Sequence, residues 1–183
     1  NSAGFGLLAA HLPGAALGAC LARGRSPIST TLMSLLSSGD HMVASADCYG
    51  GSYGLMTEDL PRFGIEVTMA DMRDPASYEA AIQENTKLLY VDTITNPVIK
   101  VRDLEAMASL SKKHGLICIV DNTFATPLIQ KPHKLGIDII LHSATKYFGG
   151  HSDICAGAVA STSEHREIIW NLSKNIGGSL SDY

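Results

Sequence analysis

The segment that follows one predicted buried strand combines a primary amine with two hydroxyl groups. The apolar run from Ile137 to Leu141 predicts the strand, and His142-Ser143-Ala144-Thr145-Lys146 comes directly after it. In open α/β sheets, ligands bind at the carboxyl ends of the strands. A lysine beside apolar surface loses hydration of its ammonium group, and this loss favours the neutral amine, which is a nucleophile. We therefore expect Lys146 to be a catalytic residue.

The hydroxyl groups of Ser143 and Thr145 indicate what Lys146 could bind. They could hold an anionic group beside the amine, and pyridoxal phosphate (PLP), a phosphate-bearing aldehyde, would use all three side chains. The lysine would form the Schiff base and the hydroxyl groups would bind the phosphate. Alternatively, Lys146 is an ordinary surface residue in a loop rich in serine and threonine, because short motifs often match by accident.

Two further apolar runs lead to polar residues that suit the same cofactor. Leu116 to Val120 is followed by Asp121, and Leu88 to Val91 leads to a segment that contains Asn96. An aspartate at the end of a buried parallel strand can pair with a pyridinium nitrogen and keep the ring protonated, so that the ring acts as an electron sink. Three strand ends are thus predicted to bring Asn96, Asp121 and Lys146 to one edge of a sheet.

Four motifs of the chain resemble the Cys/Met-metabolism PLP enzymes, a family that includes cystathionine γ-synthase, cystathionine γ-lyase, methionine γ-lyase and the O-acylhomoserine sulfhydrylases. The resemblance runs from about Ile28 to Tyr183. The motifs that carry it are Asp47-Cys48-Tyr49-Gly50-Gly51-Ser52-Tyr53, Thr95-Asn96-Pro97, Asp121-Asn122-Thr123-Phe124 and Ser143-Ala144-Thr145-Lys146-Tyr147 with Gly150-His151-Ser152-Asp153. Their order and spacing are a strong signal for the family and a weak signal for any one member.

The resemblance implies a role for each matching residue. Lys146 would carry the cofactor and move protons between it and the substrate carbons, and Asp121 would pair with the ring nitrogen. Tyr49 would stack on the ring and help to expel the leaving group, and Asn96 would lie near the phenolic oxygen. Three hydroxyl groups would complete the cofactor site, those of Ser143, Thr145 and Thr123. The alternatives are ordinary packing for Tyr49 and turn positions for Asp121 and Asn96.

The region before the helix predicted from Ile28 to Leu36 departs from the family pattern. The family has a glycine-rich turn there, whose backbone amides cradle the phosphate at the helix N-terminus. In this chain the turn reads Arg23-Gly24-Arg25-Ser26-Pro27, and Gly24 and Arg25 are its candidate cofactor-binding residues. Asp92 stands where a longer glutamate is usual. Residues 1–27 form an N-terminal segment of uncertain relationship.

The composition argues against several other classes of function. A net charge of −4 and the lack of any basic run argue against nucleic-acid binding. The stretch from Gly4 to Ala22 is apolar, but His11 and Pro13 interrupt it, so no membrane association is predicted. Four widely spaced cysteines without a C-x-x-C pair suggest free thiols in a reducing compartment. His151 and Asp153 alone make a poor metal site, and no metal is predicted.

The alternation of strands and helices predicts the fold. Strands are expected at residues 42–45, 65–69, 87–91, 116–121, 137–141 and 154–161, and helices at 28–36, 55–63, 75–84, 103–114 and 164–174. This alternation is typical of an α/β fold with a mostly parallel sheet covered on both faces. The resemblance implies the large domain of type I PLP enzymes over residues 28–183. It also implies a truncated chain, because the small C-terminal domain and the N-terminal arm of the family are not recognised in it.

The predicted function is PLP-dependent elimination or replacement at Cβ or Cγ of a sulfur amino acid or an activated homoserine, as in cystathionine γ-lyase or γ-synthase. The predicted partners are a small amino-acid substrate and further copies of the chain in a dimer-built homotetramer, and the expected location is the cytoplasm. Alternatively, the chain is an inactive fragment or a divergent paralogue that serves as a binding or assembly module. The lack of the family's carboxylate-binding arginine favours this alternative.

Overall fold

A seven-stranded β-sheet organises the part of the chain that the computed structural model describes, residues 20–21, 26–71 and 74–178. The strands are β1 (Cys20–Leu21), β2 (His41–Ser45), β3 (Glu66–Ala70), β4 (Thr86–Asp92), β5 (Ile117–Asp121), β6 (Ile139–His142) and β7 (Gly157–Ser161). Their order across the sheet is β1-β7-β6-β5-β4-β2-β3. In the described sheet, β7 pairs antiparallel with β1 and β6 and the other four pairs are parallel, so the predicted mixed, mostly parallel sheet is confirmed.

Helices connect most of these strands and cover the sheet. They are α1 (Ser26–Leu35), α2 (Gly50–Gly54), α3 (Pro75–Ala80), α4 (Leu104–His114), α5 (Thr126–Ile129) and α6 (Ser163–Asn175). Beyond its last residue, α2 continues as a π-helical turn (Leu55–Asp59) and a 3₁₀ turn (Leu60–Phe63), and a second 3₁₀ turn spans Pro132–Leu135. Within the described ranges no helix is long and apolar enough to cross a membrane.

The central strands are apolar on both faces because helices pack against each face. Side chains alternate along a strand, and in β4 the side chains of Leu89 and Val91 join one core with α4, while Leu88 and Tyr90 join the other. The second core also contains Leu32 of α1 and residues of α6. A parallel sheet covered on both faces requires such continuous apolar strands, and this explains the unbroken runs in the sequence.

The ends of α4 follow from two local signals. The side chain of Asp103 accepts a hydrogen bond from the amide of Ala106 at 3.0 Å, which caps the first turn. Gly115 ends the helix with φ 66°, a left-handed conformation that glycine adopts without steric cost. The predicted helix over 103–114 is therefore correct to within one residue.

Two predicted elements are shorter than expected, because side chains capture backbone groups at their ends. The strand predicted from Ile154 begins only at Gly157, since both backbone groups of Ala156 are held by Thr145. The helix predicted to reach Glu84 ends at Ala80, and the following turn is closed by the amide of Gln83, which donates to the Thr86 hydroxyl at 2.7 Å. The short helix α5 and the 3₁₀ turn after it were not predicted, because four residues are too few to show a helical period.

The neighbouring residues Ile168 and Ile169 of α6 provide a matched test of this packing. Ile169 is fully buried in the second core, whereas 41% of Ile168 is exposed. Ile169→Ala should lower the free energy of unfolding by about 2 to 5 kcal/mol, because it leaves a cavity. Ile168→Ala should change it by less than about 1 kcal/mol. Chemical denaturation of both variants checks this prediction, and equal effects would contradict the assigned orientation of α6.

Candidate active site

A cavity of about 710 Å³ lies at the carboxyl ends of the central parallel strands. Asp92 and Asp121 are the last residues of β4 and β5, Ser143 directly follows β6, and all three line the cavity. Its volume is typical of sites for small molecules, which span roughly 300 to 1,000 Å³. The strand ends therefore meet at one edge of the sheet, as the sequence predicted.

Seven of the nine candidate site residues line this cavity. They are Tyr49, Asn96, Asp121, Thr123, Ser143, Thr145 and Lys146. The other two, Gly24 and Arg25, lie outside the described residues. The structure thus brings together residues from three separate strand ends and from the start of α2, although the role of each remains a prediction.

Two carboxyl groups form the polar floor of the cavity. Asp92 and Asp121 are paired across neighbouring parallel strands, and Asp92 is only 4% exposed. Burial raises the pKa of Asp121, and it raises the pKa of Asp92 to about 8, with the charge of Asp121 as the second cause. The side chain of Thr123 and then its amide, which donates to Oδ1 of Asp121 at 2.9 Å, oppose this rise in the pKa of Asp121. A cation or an N–H donor above Asp121 would offset the remaining cost of its charge.

Thr123 links the end of β5 to the segment that carries the lysine. Its hydroxyl oxygen accepts a hydrogen bond from the amide of Ser143 at 2.8 Å. The carbonyl oxygen of Ser143 in turn accepts a hydrogen bond from the amide of Lys146 at 3.1 Å. The Ser143 hydroxyl itself has no hydrogen-bond partner within the described part of the chain, so it is free to meet a ligand.

Thr145 differs from Ser143, because its hydroxyl group is already engaged with the backbone. The hydroxyl donates to the carbonyl oxygen of Ala156 at 3.2 Å and accepts from the amide of Ala156 at 3.0 Å. These two bonds fasten the lysine segment to the start of β7. Thr145 would have to release one of them to donate to a phosphate, so Ser143 is the better-disposed anion ligand of the two.

Lys146 lines the cavity and is exposed, although it lies only a few residues beyond a buried apolar strand. The lysine lies in a turn beyond the strand, where the amide of Gly150 donates to its carbonyl oxygen at 2.7 Å. The turn is tight at Gly149, where an added Cβ would lie 2.6 Å from a side-chain carbon of Ile154. A side chain at Gly149 would therefore crowd the turn that carries Lys146.

Tyr49 presents an aromatic ring to the cavity at the start of α2. Its amide donates to Oδ2 of Asp92 at 3.1 Å, while 46% of the residue is exposed. Phe124 also lines the cavity and packs edge-on against Tyr147, with 6.5 Å between the ring centroids. Exposed aromatic faces of this kind suit a flat ring as a ligand.

Two other titratable groups near the strand ends supply no charge or nucleophile at neutral pH. Burial lowers the pKa of His142 to about 4, and its ring packs edge-on against Phe148 with 5.1 Å between centroids. Burial, with the charge of Asp92 as second cause, raises the pKa of Cys48 to about 12, so the thiol stays protonated. Lys146 is therefore the better candidate nucleophile.

Sequence reasoning missed several residues that line the cavity. Ser26 and Ser29 lie in the first turn of α1, whose N-terminus is a favourable place for an anion. Asp92 was noted only as a departure from the family pattern, although its place at a strand end matches that of Asp121. The remaining acidic side chains, Glu58 and Asp59, belong to the π-helical turn, which no sequence pattern indicated.

A family model described as Cys/Met metabolism PLP-dependent enzyme matches residues 6–183. This match begins 22 residues before Ile28, so the resemblance also covers most of the segment that the motifs left uncertain. The family is PLP-dependent, as its description states.

Curated relatives and solved structures agree with this match. The chain is 49% identical over 152 residues to cystathionine gamma-lyase of Bacillus subtilis (strain 168), which covers 82% of this chain and 40% of that protein. It is 44% identical over 172 residues to cystathionine beta-lyase MetC of the same organism, which covers 93% of this chain and 44% of that protein. A crystal structure of cystathionine gamma-lyase from Lactobacillus plantarum in complex with L-serine superposes with a TM-score of 0.91 at 42% identity, covering 98% of this chain and 47% of that one. The chain spans less than half the length of these relatives.

The contact between Thr123 and Ser143 generates a stability prediction. Thr123→Val keeps the shape of the side chain but removes the acceptor of the Ser143 amide, so the free energy of unfolding should fall by about 1 to 3 kcal/mol. Thr123→Ser restores the hydroxyl group and should recover most of this loss. Denaturant titration of both variants is the measurement, and an equal loss in the variant with the hydroxyl group and the variant without it would contradict the stabilising role of this hydrogen bond.

Proposed function

Because this chain belongs to the Cys/Met metabolism PLP-dependent enzyme family, we propose that the protein that carries it catalyses elimination or replacement at Cβ or Cγ of an amino-acid substrate. The substrate class that we infer is a sulfur amino acid or an activated homoserine, in line with relatives named cystathionine gamma-lyase and probable cystathionine gamma-synthase. The observation that carries the proposal is the convergence of Lys146, Asp121 and Tyr49 on one cavity.

The residues at the cavity fit PLP chemically. Asp121 has a raised pKa and is partly open to the cavity, so it would gain from a pyridinium N–H donor. The free hydroxyl group of Ser143 and the N-terminus of α1 would bind the phosphate. Tyr49 offers an exposed ring for stacking, and the carboxamide of Asn96 would donate to the phenolic oxygen. When bound, PLP supplies an electron sink for charge that develops on the substrate.

The chain's own groups then divide the proton transfers. In its neutral form, Nζ of Lys146 would take the proton from the α-carbon of the substrate, since it is the amine that lines the cavity. The hydroxyl group of Tyr49 would assist departure of the leaving group from Cβ or Cγ of the substrate. Asp121 would stay ionised and accept the ring N–H, while Thr123 would keep Ser143 in place through its amide.

We extend the proposal to the assembly of the protein. Large apolar side chains are exposed in the loops beside the cavity, including Ile99 at 72%, Val101 at 75% and Tyr147 at 64%. Such residues are commonly covered by a partner surface. They support a homo-oligomer, for which we keep the predicted dimer-built tetramer, and the proposed location remains the cytoplasm.

A second candidate function is binding or assembly without catalysis. Among the described residues that line the cavity, Lys146 is the single cation, whereas four are acidic: Glu58, Asp59, Asp92 and Asp121. The carboxylate of an amino-acid substrate needs a cation to hold it with the α C–H bond aligned, and bidentate arginine is the usual choice. The cavity of this chain by itself would hold such a substrate poorly.

The role of Lys146 is tested by covalent labelling. Borohydride reduction of the PLP-loaded protein should fix the cofactor to the peptide that contains Lys146, as peptide mapping by mass spectrometry would reveal. Lys146→Ala should abolish the label, whereas Lys113→Ala, which alters a lysine paired with Glu79 on the surface, should retain it. A label that persists on another lysine in Lys146→Ala would contradict the assignment and favour the binding function.

The role of the Tyr49 hydroxyl group is tested by kinetics. Tyr49→Phe keeps the ring for stacking, so PLP affinity should change little, while kcat for elimination should fall by about 10²-fold or more. The control is Tyr53→Phe, because Tyr53 has a similar exposed fraction, 44%, and does not line the cavity. Equal losses of affinity and kcat in Tyr49→Phe would indicate a structural role instead.

A further inference from the structure

Asp92 is the most enclosed carboxyl group at the cavity, and it holds a backbone group of the site. It is 4% exposed, and its Oδ2 accepts the hydrogen bond from the Tyr49 amide at 3.1 Å. Its Oδ1 is buried without a hydrogen bond of good geometry in the described ranges, although the Tyr90 hydroxyl lies close enough to favour its charge. A buried carboxylate oxygen in this state costs free energy unless it carries or shares a proton.

Asp121 is the neighbour that decides the charge of Asp92. The two residues are register partners on β4 and β5, and neighbouring strands lie roughly 4.8 Å apart with paired side chains on the same face. Two buried carboxyl groups this close do not both ionise freely. Asp121 accepts the Thr123 amide and is partly open to the cavity, whereas Asp92 is more enclosed. The proton of the pair therefore belongs on Asp92.

We propose that Asp92 is a positioning residue of this site, which in its protonated form leaves Asp121 as the charged member of the carboxyl pair and anchors the start of α2 through the Tyr49 amide. The proposal rests on the proposed function for the meaning of Asp121 and Tyr49. Within the chain itself, the Asp92 carboxyl group determines the charge of the cavity floor and holds the backbone of Tyr49 in place.

The groups around Asp92 within the described residues are uncharged or acidic. Asp121 faces it from β5, Tyr90 from its own strand, Cys48 from the turn before α2 and Tyr78 from α3. Arg102 is engaged with Tyr78, whose hydroxyl lies 2.8 Å from its Nη2, and Lys146, the cation that lines the cavity, is exposed. No group that faces Asp92 therefore compensates its charge as a cation would.

The environment of Asp92 determines whether the stability of the protein rises or falls with pH. Burial raises the folded-state pKa of Asp92 to about 8, above its ordinary value of 3.8. The contribution of Asp92 to stability is therefore fully present below about pH 4 and is lost as the pH rises toward 8. An amide in place of the carboxyl group does not ionise, so it causes no such loss of stability as the pH rises.

Three variants of the cofactor-free complete protein test the proposal. Asp92→Asn keeps an oxygen for the Tyr49 amide but does not titrate, Asp92→Ala removes the acceptor, and Asp47→Asn removes a nearby, more exposed carboxylate as a control. The two measurements are the thermal midpoint between pH 5 and pH 8.5 and the hydrogen-exchange rate of the Tyr49 amide.

The midpoint of the unaltered protein should fall more steeply with pH than that of Asp92→Asn, and Asp47→Asn should keep the steep profile. The Tyr49 amide should exchange at least tenfold faster in Asp92→Ala and at nearly the original rate in Asp92→Asn. Parallel midpoint profiles for the unaltered protein and Asp92→Asn would overturn the proposal. If Asp92→Ala does not fold, the midpoint profiles of the unaltered protein and Asp92→Asn still test the proposal. Neither readout involves PLP, so failure here leaves the Lys146 labelling result, and with it the proposed function, unaffected.

Discussion

The parallel pairing of β4, β5 and β6 is the constraint on which the site depends. The register joins Asp92 to Asp121 and Asp121 to Leu141, so the ends of the three strands lie side by side. Packing of particular side chains in the two cores fixes this register, because a slip by one residue would move each side chain from its own core to the other. The register of these strands therefore determines both the burial of the core and the geometry of the cavity.

The same register creates the electrostatic character of the cavity. It brings two carboxyl groups together at the end of apolar strands, where burial opposes their ionisation, and leaves the amine of Lys146 exposed across the cavity. Such a floor favours a ligand that carries a positive or N–H-bearing ring, and the free Ser143 hydroxyl favours a ligand with an anionic group. Both demands are met by one cofactor, and the family to which the chain belongs depends on that cofactor.

Much of this arrangement could be predicted from the sequence, because apolar runs followed by polar residues are a local signal. Asp121, Ser143 and Lys146 each follow such a run, and parallel strands of an α/β fold end at one edge. The contacts of Thr123 with Ser143 and of Asp92 with the Tyr49 amide could not be predicted, since they join residues 20 and 43 positions apart through the order of strands in the sheet. The exposure of Lys146 could not be predicted either, because it depends on the turn beyond β6, where Gly149 packs too closely against Ile154 to carry a Cβ.

The central claim is that Asp121 would accept the N–H of a PLP ring, beside a second carboxyl group, Asp92, that is neutral. A crystal structure of the complete protein with PLP tests it most directly, through the distance between the ring nitrogen and the nearer carboxylate oxygen of Asp121. We expect a hydrogen bond of about 2.7 to 3.2 Å. A ring nitrogen that faces solvent or another residue, with Asp121 beyond hydrogen-bond distance, would contradict the account.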